Sequence, residues 1–142
     1  MLRNVLGVLT AAGLAIAPGA AMAASVKLVS TLKGANETGG GDPDGTGSFS
    51  AEIDTETGDV CYVLVGNKIA KPTAAHVHSG AAGADGAPVL TIEVTGADGD
   101  LCMAAEPDVL KPIVASPEAY YVNIHTADFP KGALRGQLAK GS

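Results

Sequence analysis

From residue 26 onward the apolar positions recur at every second residue in short runs, and no stretch holds a strong helical period. Between Ser48 and Ile53 the residues Phe49, Ala51 and Ile53 alternate with Ser48, Ser50 and Glu52. Side chains on a strand point to opposite faces in turn, so this run has one core face and one solvent face. A second run, Val60–Val65, follows Thr55-Glu56-Thr57-Gly58, and the two predict a β-hairpin. Val89–Thr95 alternates again, with Leu90, Ile92 and Val94 against Thr91, Glu93 and Thr95. Tyr120–Thr126 and Ala133–Leu138 predict a second hairpin around Asp128-Phe129-Pro130-Lys131-Gly132, and Val26–Leu32 a first strand. One short helix is expected near Asp108–Val114, held to about a turn by Pro112. Gly39–Gly47 is rich in glycine and aspartate, has no packing residues, and is expected to be a mobile loop. Without a repeat or linker, the pattern predicts one all-β domain, an antiparallel sandwich or barrel.

The N-terminus reads differently. Met1–Ala23 carries one charge, Arg3, then an apolar run from Val5 to Ile16, a Pro18-Gly19 break and Ala21-Met22-Ala23. These are the three regions of a secretory signal peptide. The run is shorter than the roughly 20 residues a membrane span needs, and Gly7, Thr10 and Gly13 interrupt it. No cysteine stands near the cleavage site to carry a lipid. The expectation is an exported protein, periplasmic or extracellular, with residues 1–23 removed and 24–142 forming the domain. The whole chain has net charge −6; losing Arg3 leaves the mature chain at −7. Nucleic acids and anionic membranes reward clustered Lys and Arg, so neither is an expected partner.

Export changes the reading of the two cysteines. In an oxidising compartment Cys61 and Cys102 are expected to form a disulfide. Such a bridge closes a loop of about 40 residues and on chain entropy contributes about 4 kcal/mol. The alternative, a pair of soft metal ligands, requires both to lie near the histidines.

The three histidines fall in Ala75-His76-Val77-His78 and Asn123-Ile124-His125-Thr126. On a strand, His76 and His78 share a face, with Val77 opposite. If Val77, Val122 and Ile124 face the core, all three imidazoles project from the other side. Adjacent strands would then bring them together, and three imidazoles suit zinc or copper with one position open. The test is convergence of the nitrogens to within about 4 Å. The alternative is surface histidines that bond loops to strands. Other chemistry is weaker. Ser79 lacks a nucleophile elbow, and Asp42-Pro43-Asp44-Gly45 lacks the remaining ligands of a calcium loop. Gly80–Gly86 opens no helix and makes no phosphate cradle. Glu37 and Asp128 are candidate acids or bases with no nucleophile paired to them. Arg135 shares a face with Gln137, and its default role is an ion pair or a bond to a loop.

Several segments, in order, resemble the chordin-type (CHRD) domain: Leu32-Lys33-Gly34-Ala35-Asn36-Glu37, Ala74–Gly80, Gly83–Val89, Tyr121–Thr126 and Phe129–Leu138. The resemblance covers about residues 26–139. It implies an extracytoplasmic β-sandwich or barrel similar to immunoglobulin-like folds and to copper/zinc superoxide dismutase, without a general catalytic activity. The family's His-x-His and Asn-x-His-Thr elements fall on His76, His78 and His125, which favours a shared site, with Asn123, Arg135 and Gln137 around it. Two departures stand out. Glu37-Thr38-Gly39-Gly40 replaces a more hydrophobic, proline-containing continuation, so this loop is not expected to be functional. Ala133-Leu134 stands where an acidic residue often precedes Arg-Gly-Gln, so an ion pair from that position to Arg135 is lost. Dismutase chemistry is excluded on ligand count, since it requires more histidines than three.

The leading expectation is an exported, non-catalytic binder of copper or zinc through His76, His78 and His125. The alternative is an extracytoplasmic module that binds a protein or glycan. A weaker third is an enzyme with a three-histidine metal and Glu37 or Asp128 as its carboxylate.

Overall fold

The structure is a computed structural model that describes residues 25–142. The segment read as a signal peptide, residues 1–23, lies outside the described residues. Nine strands form the domain: β1 Val26–Lys33, β2 Thr46–Ile53, β3 Asp59–Asn67, β4 Pro72–Ser79, β5 Pro88–Ile92, β6 Leu101–Ala104, β7 Tyr120–Thr126, β8 Leu134–Gln137 and β9 Ala139–Lys140. All pairings are antiparallel, in the order β5-β4-β7-β8-β1-β2-β3-β6, with β9 also on β1. The expected all-β class is what forms.

The alternating residues select the faces. Phe49, Ala51 and Ile53 of β2 are buried with Val60, Tyr62 and Leu64 of β3 and Leu28 and Leu32 of β1. From the other half come Ala75 and Val77 of β4 and Val122 and Ile124 of β7, in the same core. The sheet therefore curls into a half-barrel around one apolar interior. Its corner lies in the last strand. Strand β8 lies between β7 and β1; Leu138 N donates to Tyr120 O, one step past the Tyr121–Gln137 pair, and after it β9 pairs with β1. Gly136 permits this closeness, because a Cβ there would meet Thr31 O and Ser30 Oγ. The open side is tied where Thr95 N and Gly96 N donate to Leu64 O and Glu93 N donates to Tyr62 Oη. This demand ends β5 at Ile92, short of the expected Thr95.

The helix, α1, spans Pro107–Ala115 and is longer than the single turn that Pro112 suggested. Pro107 opens it where a missing N–H is harmless. Beyond Pro112 it persists because Leu110 and Ile113 are fully buried in the core, which outweighs one lost backbone bond. The Gly39–Gly47 segment is also more constrained than expected. Asp42 N donates to Ala133 O and Gly41 N to Gly34 O, and Thr46 and Gly47 already belong to β2. Cys61 and Cys102 stand directly opposite one another in the β3–β6 ladder and are disulfide-bonded. They are therefore structural, and not ligands beside the histidines.

Candidate metal centre

Strands β4 and β7 are neighbours, and their register decides the site. His76 lies opposite Asn123, His78 opposite Tyr121, and Ala74 opposite His125. His76 and His125 are thus diagonal partners across the ladder, a separation long side chains can bridge. Val77, Val122 and Ile124 do face the core, so all three imidazoles emerge on the outer face, as the alternation predicted. The small side chain of Ala74 leaves room beside His125.

The rings converge. His76 Nδ1 lies 3.1 Å from His125 Nε2. One nitrogen from each of the three histidines lies within 4.8 Å of the other two. The first pair meets the 4 Å criterion; the cluster as a whole is wider. Nitrogens bound at 2.0–2.1 Å in a tetrahedron stand about 3.4 Å apart, so to hold an ion the widest separation would have to close by about 1.4 Å and the His76–His125 pair would open slightly. No Cys, Asp or Glu joins the group among the described residues.

Two backbone carbonyls set the tautomers. His78 Nδ1 is 2.8 Å from Gly86 O, and His125 Nδ1 is 3.0 Å from Pro130 O. A carbonyl can only accept, so both Nδ1 atoms carry hydrogen and both Nε2 atoms present lone pairs. His76 Nδ1–H then donates to His125 Nε2. Carbonyls that orient imidazoles in this way are a usual support for metal ligands. His78 is further held by stacking on Tyr121, with ring centroids 4.8 Å apart and planes 5° from parallel.

The carbonyl at Gly86 is itself positioned. The strand bulges between Val77 and His78, and residues 80–87 fold back over the sheet. Only glycine fits at 86, since a Cβ would overlap Ser79 O. Arg135 Nη1 donates to Ala84 O, Gln137 Nε2 to Gly80 O and Glu118 O, and Gly86 N to Tyr121 Oη. Arg135 and Gln137 therefore hold the loop and make no hydrogen bond to the imidazoles. Asn123 is buried beside His76; its Oδ1 makes no well-formed hydrogen bond yet stands near enough to favour the imidazolium.

Burial is the main reason that His76 and His125 are held below the ordinary imidazole range, with mutual repulsion among the three rings adding to it. The Pro130 carbonyl partly opposes this at His125. In the folded state both rings are neutral at neutral pH. Their folded values lie below the unfolded value of about 6.5, so the unfolded chain takes up protons first as pH falls. Stability is therefore present above that value and lost as pH drops from about 6.5 through the folded values. In urea titrations the metal-free protein should have a lower midpoint at pH 5.5 than at 7.5. A His76→Gln/His125→Gln double variant should show a smaller drop; an equal drop would mean that other groups govern it.

Sequence reasoning missed the partners of Arg135. Its Nε donates to Glu37 Oε2 at 3.1 Å and its Nη2 to Asp85 Oδ1 at 2.6 Å. The guanidinium also lies 3.9 Å over the Tyr121 ring. The lost acidic position before Arg-Gly-Gln is thus replaced by two carboxylates, from distant segments. Glu37 belongs to the loop that its departure from the family pattern had discounted, yet it is buried. The only signal was a lone glutamate in an otherwise glycine-rich segment. Asp128, the other candidate acid, is exposed and makes no side-chain hydrogen bond to any described residue.

No helix among the described residues is long and apolar enough to cross a membrane. No curated protein and no solved structure matches the chain. A family model described as CHRD domain matches residues 28–138, from the middle of β1 to the corner at Leu138 and across every segment that builds the histidine cluster; the chain belongs to the CHRD domain family.

Proposed function

We propose that this protein is an exported, non-catalytic CHRD domain that holds one transition-metal ion, copper or zinc, through His76 Nδ1, His78 Nε2 and His125 Nε2. The observation that carries the reading is the pair of carbonyl contacts, from Gly86 and Pro130, which leave the Nε2 atoms of His78 and His125 as lone pairs, that of His125 facing His76 Nδ1 and that of His78 buried without a partner. Three neutral imidazoles match both metals, with a fourth position open to water or another ligand. No carboxylate joins the cluster among the described residues, and Glu37 is engaged with Arg135. This supports a binding role over a hydrolytic one. Export is supported by the Cys61–Cys102 disulfide and by the signal-peptide pattern of Met1–Ala23.

Titration of the mature protein with Cu(II) and Zn(II), read by calorimetry, should give one ion per chain for at least one metal. His125→Ala should weaken binding by roughly 100-fold or more, since even loss of a group that merely orients a ligand costs 10–100-fold. Affinity should fall with pH below about 6.5, because protons compete for the same nitrogens. A second reading, in which the imidazoles only tie loops to the sheet, is favoured by the His78–Gly86 bond taken alone. It predicts negligible stoichiometry, or binding unaffected by His125→Ala, and either result would end the metal assignment.

A further inference from the structure

On the outer face of the β4–β7 ladder six side chains form two columns: Ala74, His76 and His78 on β4, and His125, Asn123 and Tyr121 on β7. Asn123 holds a middle place. It stands directly across from His76, diagonal to His78 and next to His125 on its own strand. Each of the three histidines is therefore one step from it. The other two places offer nothing to an ion. Ala74 has no ligand atom, and Tyr121 lies stacked on His78 with its Oη accepting from Gly86 N.

Two acceptors in this cluster lack a donor. Asn123 is 2 % exposed, and its Oδ1 is buried with no hydrogen-bond partner. His78 Nε2 is likewise buried and bare, and it is an acceptor because Nδ1 donates to Gly86 O. Buried acceptors without partners are uncommon and costly, and two on one face of a ladder call for a shared positive group. No described residue donates to either atom. Both are closed to solvent, and a water needs about 2.8 Å to each partner. A bare divalent ion needs only about 2.0–2.2 Å to oxygen or nitrogen, so it can occupy a space that a water cannot.

We propose that Asn123 Oδ1 is the fourth ligand of the ion held by His76, His78 and His125, which makes the site a closed one of three nitrogens and one oxygen. The inference rests on the three-histidine reading and deepens it: the position otherwise open to water is taken by the protein. A full set of protein ligands is the arrangement of sites that hold a metal rather than activate water on it. An amide oxygen is a hard donor, so the fourth bond favours a divalent ion over Cu(I). The competing role, in which Oδ1 accepts from His76 and only orients it, leaves the fourth position to water.

The test loads the mature protein with Cu(II) and measures the relaxation of bulk water protons, alongside Zn(II) affinity by calorimetry. The wild-type Cu(II) protein should relax water no more than Cu(II) in a chelator that leaves the ion no water. Asn123→Ala opens the position, so its Cu(II) form should relax water several-fold more strongly. It should also bind Zn(II) at least about tenfold more weakly, the lower end for losing even an orienting group. Asn123→Asp, which keeps an oxygen in place, should exclude water again and bind Zn(II) at least as tightly as the wild type. The wild-type relaxation needs no variant, so the inference stays testable if Asn123→Ala folds poorly. One ion per chain with an exchanging water in the wild type overturns the inference and leaves the three-histidine reading standing. Zn(II) affinity unchanged in Asn123→Ala does the same, and absence of stoichiometric binding overturns both.

Discussion

Replacing Arg135 with methionine should lower the unfolding free energy by about 3–5 kcal/mol, the scale for breaking a buried ion pair from one side. Arg135 and the Glu37 side chain are both 4 % exposed, so the carboxylate left behind has no solvent to replace the guanidinium. The variant also frees Ala84 O and Asp85, and with them the loop that presents Gly86 to His78. Two further measurements separate charge from shape. A Glu37→Met/Arg135→Met double variant should recover most of the loss, because removing both charges and keeping the volume is often neutral. The single variant should also be less impaired at acid pH. The Glu37 carboxyl already titrates above its usual range; without Arg135 it is protonated more readily still, and the neutral acid is cheap to bury. If the double variant is no more stable than Arg135→Met alone, the two residues do not act as a unit.

Opening the Cys61–Cys102 bridge should cost about 4 kcal/mol, its ends being separated by 41 positions in the sequence. The cysteines are direct partners in the ladder, and β6 is an edge strand of only four residues. Without the bond, backbone pairing to β3 alone has to hold that edge. The effect should propagate to α1, which follows β6 directly and buries Leu110 and Ile113. Urea unfolding with and without reductant measures the loss, and Cys61→Ser/Cys102→Ser should reproduce it. Metal affinity measured well below the unfolding midpoint should be unchanged, since β4 and β7 lie toward the opposite side of the strand order. A loss below 1 kcal/mol would mean that β6 and α1 are held by packing and not by the bond.

These two linkages differ in how far the chain announced them. The disulfide was legible because only two cysteines are present and the N-terminal pattern implies an oxidising compartment. The Arg135 network was not. Residues 37, 85 and 135 are separated by about fifty positions each, and charged residues on a β protein are by default solvated. Only the path of two loops across the outer face of β7 and β8 puts both carboxylates on one guanidinium. The same loops bury Tyr121 and Asn123, which alternation alone would leave in water.

Local pattern determined the strands, because a period of two needs nothing beyond the residue itself and its neighbours. It placed Phe49, Ala51, Ile53, Val122 and Ile124 inside, and it set His76 and His78 on one face. The class of the fold followed, as did the shared face of the third histidine. Three matters required the tertiary structure. Helix α1 outran Pro112 because burial of Leu110 and Ile113 is a property of the assembled core. The fifth strand stopped early because Thr95 is claimed by Leu64. The meeting of His125 with His76 depends on which strands are neighbours and in what register, and both are settled by packing and turns far from the histidines. Side-chain facing is local and can be read along a chain; adjacency between strands comes from the whole core and cannot.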